Sequence, residues 1–189
     1  MLNEQDKQQL DSEMQAFRSW WAGDQSRPFV LKRQQNYCVC RILFPNWLTD
    51  LRFNLRFATM RIIGLLPSST LKICFYRLMG VRIGKDVYIA PGVFIDAFYP
   101  RLIEIEDDSF LGMGCHLLAH EYTSDFFRAG RVRIGKGSVI GGWSTIRCGV
   151  TIGKRVTTGF GSVVVNDVPD GLTVGGIPAR PLKSVKEGS

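Results

Sequence analysis

The sequence predicts an all-β fold, a parallel β-helix, and two observations carry that expectation. From Val81 to Val165 a branched or otherwise apolar residue returns at every sixth position: Ile83, Ile89 and Ile95, then Ile105, Leu111 and Leu117, then Ile134, Ile140 and Ile146, then Ile152, Thr158 and Val164. A residue with little or no side chain follows many of them, at Gly84, Ala90, Gly112, Gly135, Gly141, Gly153 and Gly159. An amphipathic helix repeats at about 3.6 residues and a half-buried strand at about 2, so a period of six is neither. It belongs to stacked repeats, in which each short strand meets its copies in neighbouring coils. Three hexapeptides per coil give a triangular prism, and the twelve units give about four coils. The recurring residue points inward, where β-branched side chains fill flat layers at little rotamer cost.

Ahead of the repeats the pattern is helical. Residues 3 to 21 read as a helix, with Leu10, Met14, Phe17 and Trp21 three or four apart, Asn3 as cap, and Gly23 and Pro28 as stops. Its aromatic stripe is read as a packing face rather than a sugar cradle. From Pro28 to Pro45 the only extended pieces are Val30–Leu31 and Tyr37 to Phe44. Leu48 to Leu66 is helical again: Leu51, Leu55, Ala58 and Ile62 share a face, widened by Phe53, Phe57, Met60 and Ile63. Arg52, Arg56 and Arg61 interrupt it, which excludes a membrane span. A further helix starts at Ser68 or Ser69, carries Leu71, Phe75 and Leu78 on one face and stops at Gly80. These two helices are expected to plug the open end of the solenoid. Peripheral contact with a membrane surface through residues 51–80 is the alternative.

Two breaks in the register mark where function is expected. The spacing from Ile95 to Ile105 is ten, which inserts four residues around Asp96 to Arg101; from Leu117 to Ile134 it is seventeen, which ejects Leu118 to Arg131 as a loop. Loops leaving a rigid scaffold are where binding groups concentrate. After Val164 the pattern is expected to stop, with a turn at Asn166 to Pro169 and an irregular tail. The organisation is therefore a helical and mixed capping region over 1–80, the β-helix with loop 118–131 over 81–168, and a tail over 169–189.

Composition fits a globular chain, one domain or a repeat domain with a short helical cap: 45% hydrophobic and 22% charged over 189 residues, with a net charge of +7. No recognition helix, zinc-finger spacing or aromatic-interleaved basic run points to nucleic acid, so a phosphate-rich small molecule is the economical partner for the excess charge. Five cysteines, Cys38, Cys40, Cys74, Cys115 and Cys148, are odd in number and irregular in spacing, against a disulfide framework. Cys38 and Cys40 have no second pair to make a zinc site, and Cys115 and Cys148 read as buried fillers of the wall. No secretory leader pattern opens the sequence, and the expected compartment is the cytoplasm.

At His120, and again at the tail Gly175-Gly176-Ile177-Pro178-Ala179-Arg180, the chain resembles the hexapeptide-repeat acyltransferases, and most of all the maltose, galactoside and surface-polysaccharide O-acetyltransferases. The resemblance covers roughly Val81 to Leu182. It implies a left-handed coil, a homotrimer, and active sites between neighbouring subunits that use acetyl-CoA. The histidine opening the loop, His120, is the catalytic base the resemblance implies, and the loop from Glu121 through Asp125 to Arg131 helps enclose the acceptor. Asp96 stands where related enzymes place a polar Asn or Asp for the acceptor. For the cofactor, Gly142 matches the small corner position at the thioester end with Trp143 beside it, Gly159, Phe160 and Gly161 match the segment under the pantetheine arm, and Arg180 matches the basic residue near the phosphates.

The residue chemistry points the same way on its own terms. Transfer to a sugar hydroxyl needs a group that takes a proton near neutral pH, which suits imidazole. The chain holds only His116 and His120. His116 lies one before an inward position and should face outward as a wall residue. A catalytic imidazole wants an acid on its other nitrogen, and Asp96, Glu121 and Asp125 are the available ones. Tyr99 or Phe98 is a platform for a sugar ring, or else packs against the preceding helix. Three readings result: an O-acetyltransferase acting on a sugar or glycan precursor, an N-acyltransferase acting on an amine, and a non-catalytic scaffold or zinc protein. The zinc reading wants three histidines per interface, and two in the whole chain count against it.

Overall fold

The computed structural model describes residues 4–25, 27–32, 47–123 and 126–182. Its centre is a three-faced prism of parallel strands. The first face stacks β2 (Arg82–Ile83), β5 (Ile103–Ile105), β10 (Val132–Ile134) and β13 (Thr151–Ile152). The second stacks β3 (Tyr88–Ile89), β6 (Phe110–Leu111), β11 (Val139–Ile140), β14 (Thr157–Thr158) and β16 (Thr173–Gly175). The third stacks β4 (Phe94–Ile95), β7 (His116–Leu117), β12 (Thr145–Ile146) and β15 (Val163–Val164). Every six-residue position falls where the spacing puts it: Ile83, Ile105, Ile134 and Ile152 pair in one ladder, Ile89, Leu111, Ile140 and Thr158 in a second, and Ile95, Leu117, Ile146 and Val164 in the third. Thr158 takes an inward place with its hydroxyl accepting from Gly141 N at 2.8 Å.

The register runs further than its sequence signal. Val168 bridges to Ile152 and Val174 pairs beside Thr158, so a partial fifth coil follows Val164 where the spacing predicts a stop. Strand β17 (Arg180–Pro181) then folds back antiparallel on β16. The six-residue period does not reveal this coil because Val168 stands only four residues after Val164, a shortened corner.

Buried serines pin each corner to the next coil. Ser138 Oγ donates to Gly153 O (2.7 Å) and accepts from Val156 N (3.0 Å); Ser144 Oγ donates to Gly159 O (2.8 Å) and accepts from Ser162 N (3.2 Å). Each hydroxyl thus serves one acceptor and one donor at its corner, and Gly159 O takes a second hydroxyl, Ser162 Oγ, at 2.7 Å. The glycines before them allow the approach: a Cβ on Gly141 would stand 2.5 Å from Thr158 O.

The fold is not purely all-β, which corrects the expected class. Among the described residues three helices precede the prism: α1 (Glu4–Ala22), α2 (Trp47–Leu65) and α3 (Ser69–Leu78). A stack of parallel strands ends in a row of unpaired N–H and C=O groups, and α3 covers that row with polar side chains. Ser69 Oγ accepts from Ile89 N (2.9 Å), Lys72 Nζ donates to Ile89 O (3.0 Å), and Tyr76 OH donates to Val93 O (3.0 Å). Arg77 donates to Ile83 O and Gly84 O, and the backbone of α2 supplies Gly64 O to Gly92 N at 2.9 Å. Lys72 and Tyr76 are fully buried, and burial lowers the Lys72 ammonium below its ordinary value and raises the Tyr76 phenol.

The packed side of the cap is therefore partly polar, and the apolar stripe read from the sequence faces out. Phe53, Met60, Ile63 and Gly64 turn α2 towards the prism, whereas Leu51, Leu55, Ala58 and Ile62 are exposed. On α3 the exposed face is Leu71, Phe75 and Leu78. Periodicity identifies both helices correctly but does not say which side is in.

Replacing Ser144 with alanine leaves Ser162 N without its acceptor, while Gly159 O keeps the Ser162 hydroxyl. We expect Ser144→Ala to cost about 1–3 kcal/mol in denaturant unfolding, with the slope unchanged; a loss below about 0.3 kcal/mol would mean the corners hold without their serines.

Candidate active site

The break after Ile95 places Asp96 at the edge between the third and first faces, and the break after Leu117 places His120 beside it. The ejected segment is a hairpin, β8 (His120–Tyr122) and β9 (Phe126–Ala129), and β1 (Phe29–Lys32) pairs antiparallel with β9 to make a three-stranded sheet. Asp125 lies outside the described residues, as do Cys38, Cys40 and the extended piece expected from Tyr37 to Phe44.

Asp96 is 1% exposed and accepts five hydrogen bonds. Its Oδ1 takes Phe98 N (2.8 Å) and Tyr99 N (3.0 Å); its Oδ2 takes Ala119 N (2.9 Å), His120 N (3.1 Å) and the His120 ring at Nδ1 (2.5 Å). Burial alone would raise this carboxyl, but the hydrogen bond and charge of His120, with the backbone donors of Tyr99 and Ala119, hold it below the usual carboxylate value. An ionised Asp96 favours the neutral tautomer in which Nδ1 carries the proton towards the carboxylate and Nε2 does not.

Aromatic rings wall the imidazole. Phe98 meets it edge-on at 4.6 Å, Tyr99 at 5.6 Å, Tyr122 lies parallel at 6.4 Å, and Phe127 stands at 6.3 Å. Phe98 is backed by Phe53 of α2 at 4.0 Å, and Tyr99 by Phe17 and Trp21 of α1. The stripe on α1 is thus a packing face. The Tyr99 phenol is pushed up by burial and then by Asp96, so it stays neutral. Sequence reasoning does not find Tyr122 and Phe127 as walls; their only signal is a position in the ejected segment.

Glu121 lies on the other side of β8. Arg147 Nε donates to both Glu121 carboxylate oxygens at 2.9–3.0 Å and its Nη2 to Oε1 at 2.5 Å, and Arg128 stands 3.5 Å away. These contacts fasten the hairpin to the third coil and keep Glu121 off the imidazole. His116 is half-buried on the outer wall, edge-on to Phe94 at 5.9 Å, and burial followed by Arg61 lowers its pKa. Cys115 and Cys148 are buried fillers with thiols pushed up to about 12, chiefly by burial, so neither is a thiolate nucleophile.

The remaining candidates lie along a different edge, between the second and third faces. Phe160 lies over Gly142, where a Cβ would come within 2.9 Å of the ring, and the Trp143 ring covers Gly114. Gly161 N donates to Gly142 O at 2.8 Å. Trp143 has φ +59°, a left-handed conformation that its counterparts Gly92, Gly114 and Gly161 adopt freely and a bulky residue adopts at a cost. Trp143, Phe160 and Ile177 are exposed along this edge, and Arg180 is exposed on β17, with Nη1 donating to Ala179 O. One chain therefore brings Asp96, Tyr99 and His120 together and sets Gly142, Trp143, Gly159, Phe160, Gly161 and Arg180 apart from them on another edge.

Residues 131–165 match the sequence family described as hexapeptide repeat of succinyl-transferase. The Bacillus subtilis (strain 168) protein YvoF, which carries an acetyltransferase name, is 34% identical over 132 residues, covering 69% of this chain and 77% of YvoF. The chain belongs to the hexapeptide-repeat acetyltransferases. As a member it is an acyltransferase, and the scaffold reading falls away. Solved structures agree on the fold: the hexapeptide-repeat acetyltransferase VCA0836 of Vibrio cholerae O1 biovar eltor, complexed with acetyl coenzyme A, has a TM-score of 0.60 at 23% identity, covering 76% of this chain and 93% of that one. The maltose O-acetyltransferase of Clostridium difficile 630 has a TM-score of 0.56 at 21% identity, covering 76% of this chain and 91% of the other.

Asp96→Asn would turn an amide NH₂ towards backbone donors and remove the charge facing Nδ1. We expect it to destabilise the chain by about 2–4 kcal/mol near neutral pH. A carboxyl whose folded pKa is depressed contributes stability above its unfolded value and loses it as pH falls through the folded one. The gap between the two unfolding curves should therefore be full at neutral pH and close in acid; a gap independent of pH would mean the carboxylate charge is not what holds this corner.

Proposed function

We propose that this acetyltransferase moves the acetyl group of acetyl-CoA to a hydroxyl of a sugar or surface-polysaccharide precursor, with His120 as general base and Asp96 as the residue that positions it. The observation that carries the reading is the Asp96–His120 pair: a buried, ionised carboxylate on Nδ1 of a ring whose other nitrogen is left to accept a proton. The acceptor hydroxyl gives its proton to Nε2 as its oxygen attacks, and the imidazolium, stabilised by Asp96, returns a proton to the departing thiolate. Aromatic walls at Phe98, Tyr99 and Tyr122 suit the apolar face of a sugar ring and keep water from the thioester.

Acetyl-CoA supplies the activated thioester. The edge at Gly142 fits such a donor: its exposed rings suit the pantetheine arm, and the exposed guanidinium of Arg180 suits phosphate. Because that edge and the His120 edge are separate in one chain, we propose a homotrimer in which the base of one subunit faces the donor edge of its neighbour, with the left-handed coil that the family resemblance implies.

His120→Ala should leave fold, assembly and acetyl-CoA affinity nearly unchanged while lowering kcat by roughly 10²–10⁴. The profile of kcat against pH should fall on its acid side, where the base becomes protonated, and His116→Ala should show neither effect. A CoA-release assay over sugar acceptors measures this; wild-type turnover in His120→Ala would place the base elsewhere. Arg180→Ala should weaken acetyl-CoA by about tenfold and leave a pantetheine fragment without nucleotide phosphates unaffected. Equal calorimetric losses for both would assign Arg180 to the tail's structure instead.

A further inference from the structure

The cap carries an apolar surface that its own fold leaves uncovered. On α2, Trp47, Leu51, Leu55, Ala58, Ile62 and Leu65 are exposed at spacings of four, four, three, four and three, which is one face of a helix turned away from the prism. Trp47 is 72% exposed, Leu55 60% and Ile62 63%. The outer face of α3 adds Leu71, Phe75 and Leu78, the last 80% exposed. Isolated exposed leucines mean little, but a continuous face of this kind on both helices of one cap marks a contact surface.

The charges around it identify what it contacts. Residues 47–80 hold Arg52, Arg56, Arg61, Lys72 and Arg77 against a single acid, Asp50, and of these cations only Lys72 is buried. A second copy of this chain seated symmetrically on the face would set arginine against arginine with little to offset them. Arg77 is held on Ile83 O and Gly84 O and Arg61 lies over the Phe94 ring, which leaves Arg52 and Arg56 as the exposed cations of α2 without such a contact to the prism. A surface of anionic phosphates over an apolar layer answers both features: the aliphatic stripe enters the acyl boundary, Arg52 and Arg56 reach the phosphates, and Trp47 sits at the interface it favours. Among the described residues no helix is long and apolar enough to cross a membrane, so the mode is contact from one side.

We propose that α2 and α3 dock this enzyme on an anionic lipid surface. The docking helix also builds the site, since Phe53 on its packed side stacks on Phe98, which abuts His120.

The test is flotation of the full chain with phosphatidylcholine vesicles with and without about one third phosphatidylglycerol, at near-physiological salt, with no turnover involved, so its outcome is independent of the transfer reaction. The chain should float with the anionic vesicles, at least about tenfold more tightly than with phosphatidylcholine alone, and lose that preference at high salt. Leu55→Glu combined with Ile62→Glu, two outward positions, should abolish flotation with the melting temperature unchanged. Arg52→Gln and Arg56→Gln, which leave the stripe intact, should each weaken anionic binding by about fivefold and decide the matter if the glutamates disturb the helix. Absence of flotation by the wild type would overturn the proposal. So would equal flotation of the wild type and all variants, or a double-glutamate variant whose assembly shrinks in sedimentation while no form binds lipid.

Discussion

A parallel stack of coils can exist only if each coil sits on the backbone donors and acceptors of the one beneath it. That constraint sets the six-residue register, the single file of branched side chains inside, and the glycines at corners where backbone meets backbone. It also creates a polar end. The first coil offers Ile89 N, Ile89 O, Val93 O and Ile83 O to whatever covers it, and the cap answers with Ser69, Lys72, Tyr76 and Arg77. A helix that must satisfy such an edge cannot present a wholly apolar face to it, so its hydrophobic side is free to turn outward.

The site uses the same constraint in reverse. Where two coils are allowed to lose register, the chain bulges, and Asp96 collects the backbone donors the bulges release: Phe98 and Tyr99 from one, Ala119 and His120 from the other. The carboxylate is a structural necessity for two interrupted turns before it is anything for the imidazole. Having been fixed for that purpose, it is rigid enough to fix His120 as well, which is how a thin scaffold achieves the precision that catalysis wants.

The prism was legible because its period is unlike any other and repeats through four coils, so one misleading residue such as Thr158 cannot hide it. The placement of His120 at the mouth of the ejected hairpin was legible because one of the chain's two histidines opens the interruption. The partner of His120 was not, since Asp96, Glu121 and Asp125 all stood nearby and only the strand face of β8 separates Glu121 from the ring. The outward stripe of α2 was misleading for a deeper reason: periodicity reports that a helix has two faces, while the choice between them depended on an unpaired backbone edge that no local pattern records. The fifth coil escaped because its corner is shortened.

The clasp between β1 and β9 has a consequence for how the chain comes into being. Rungs of the prism join residues about a coil apart, such as Ile134 and Ile152, so they can zip in sequence as each coil is completed. Phe29, by contrast, pairs with Ala129. As the chain is synthesised, the N-terminal strand emerges early and must wait, unpaired, for a partner a hundred residues behind it. The scaffold can therefore be complete while the sheet that carries His120 still lacks its outer strand, and activity should mature later than compactness during folding.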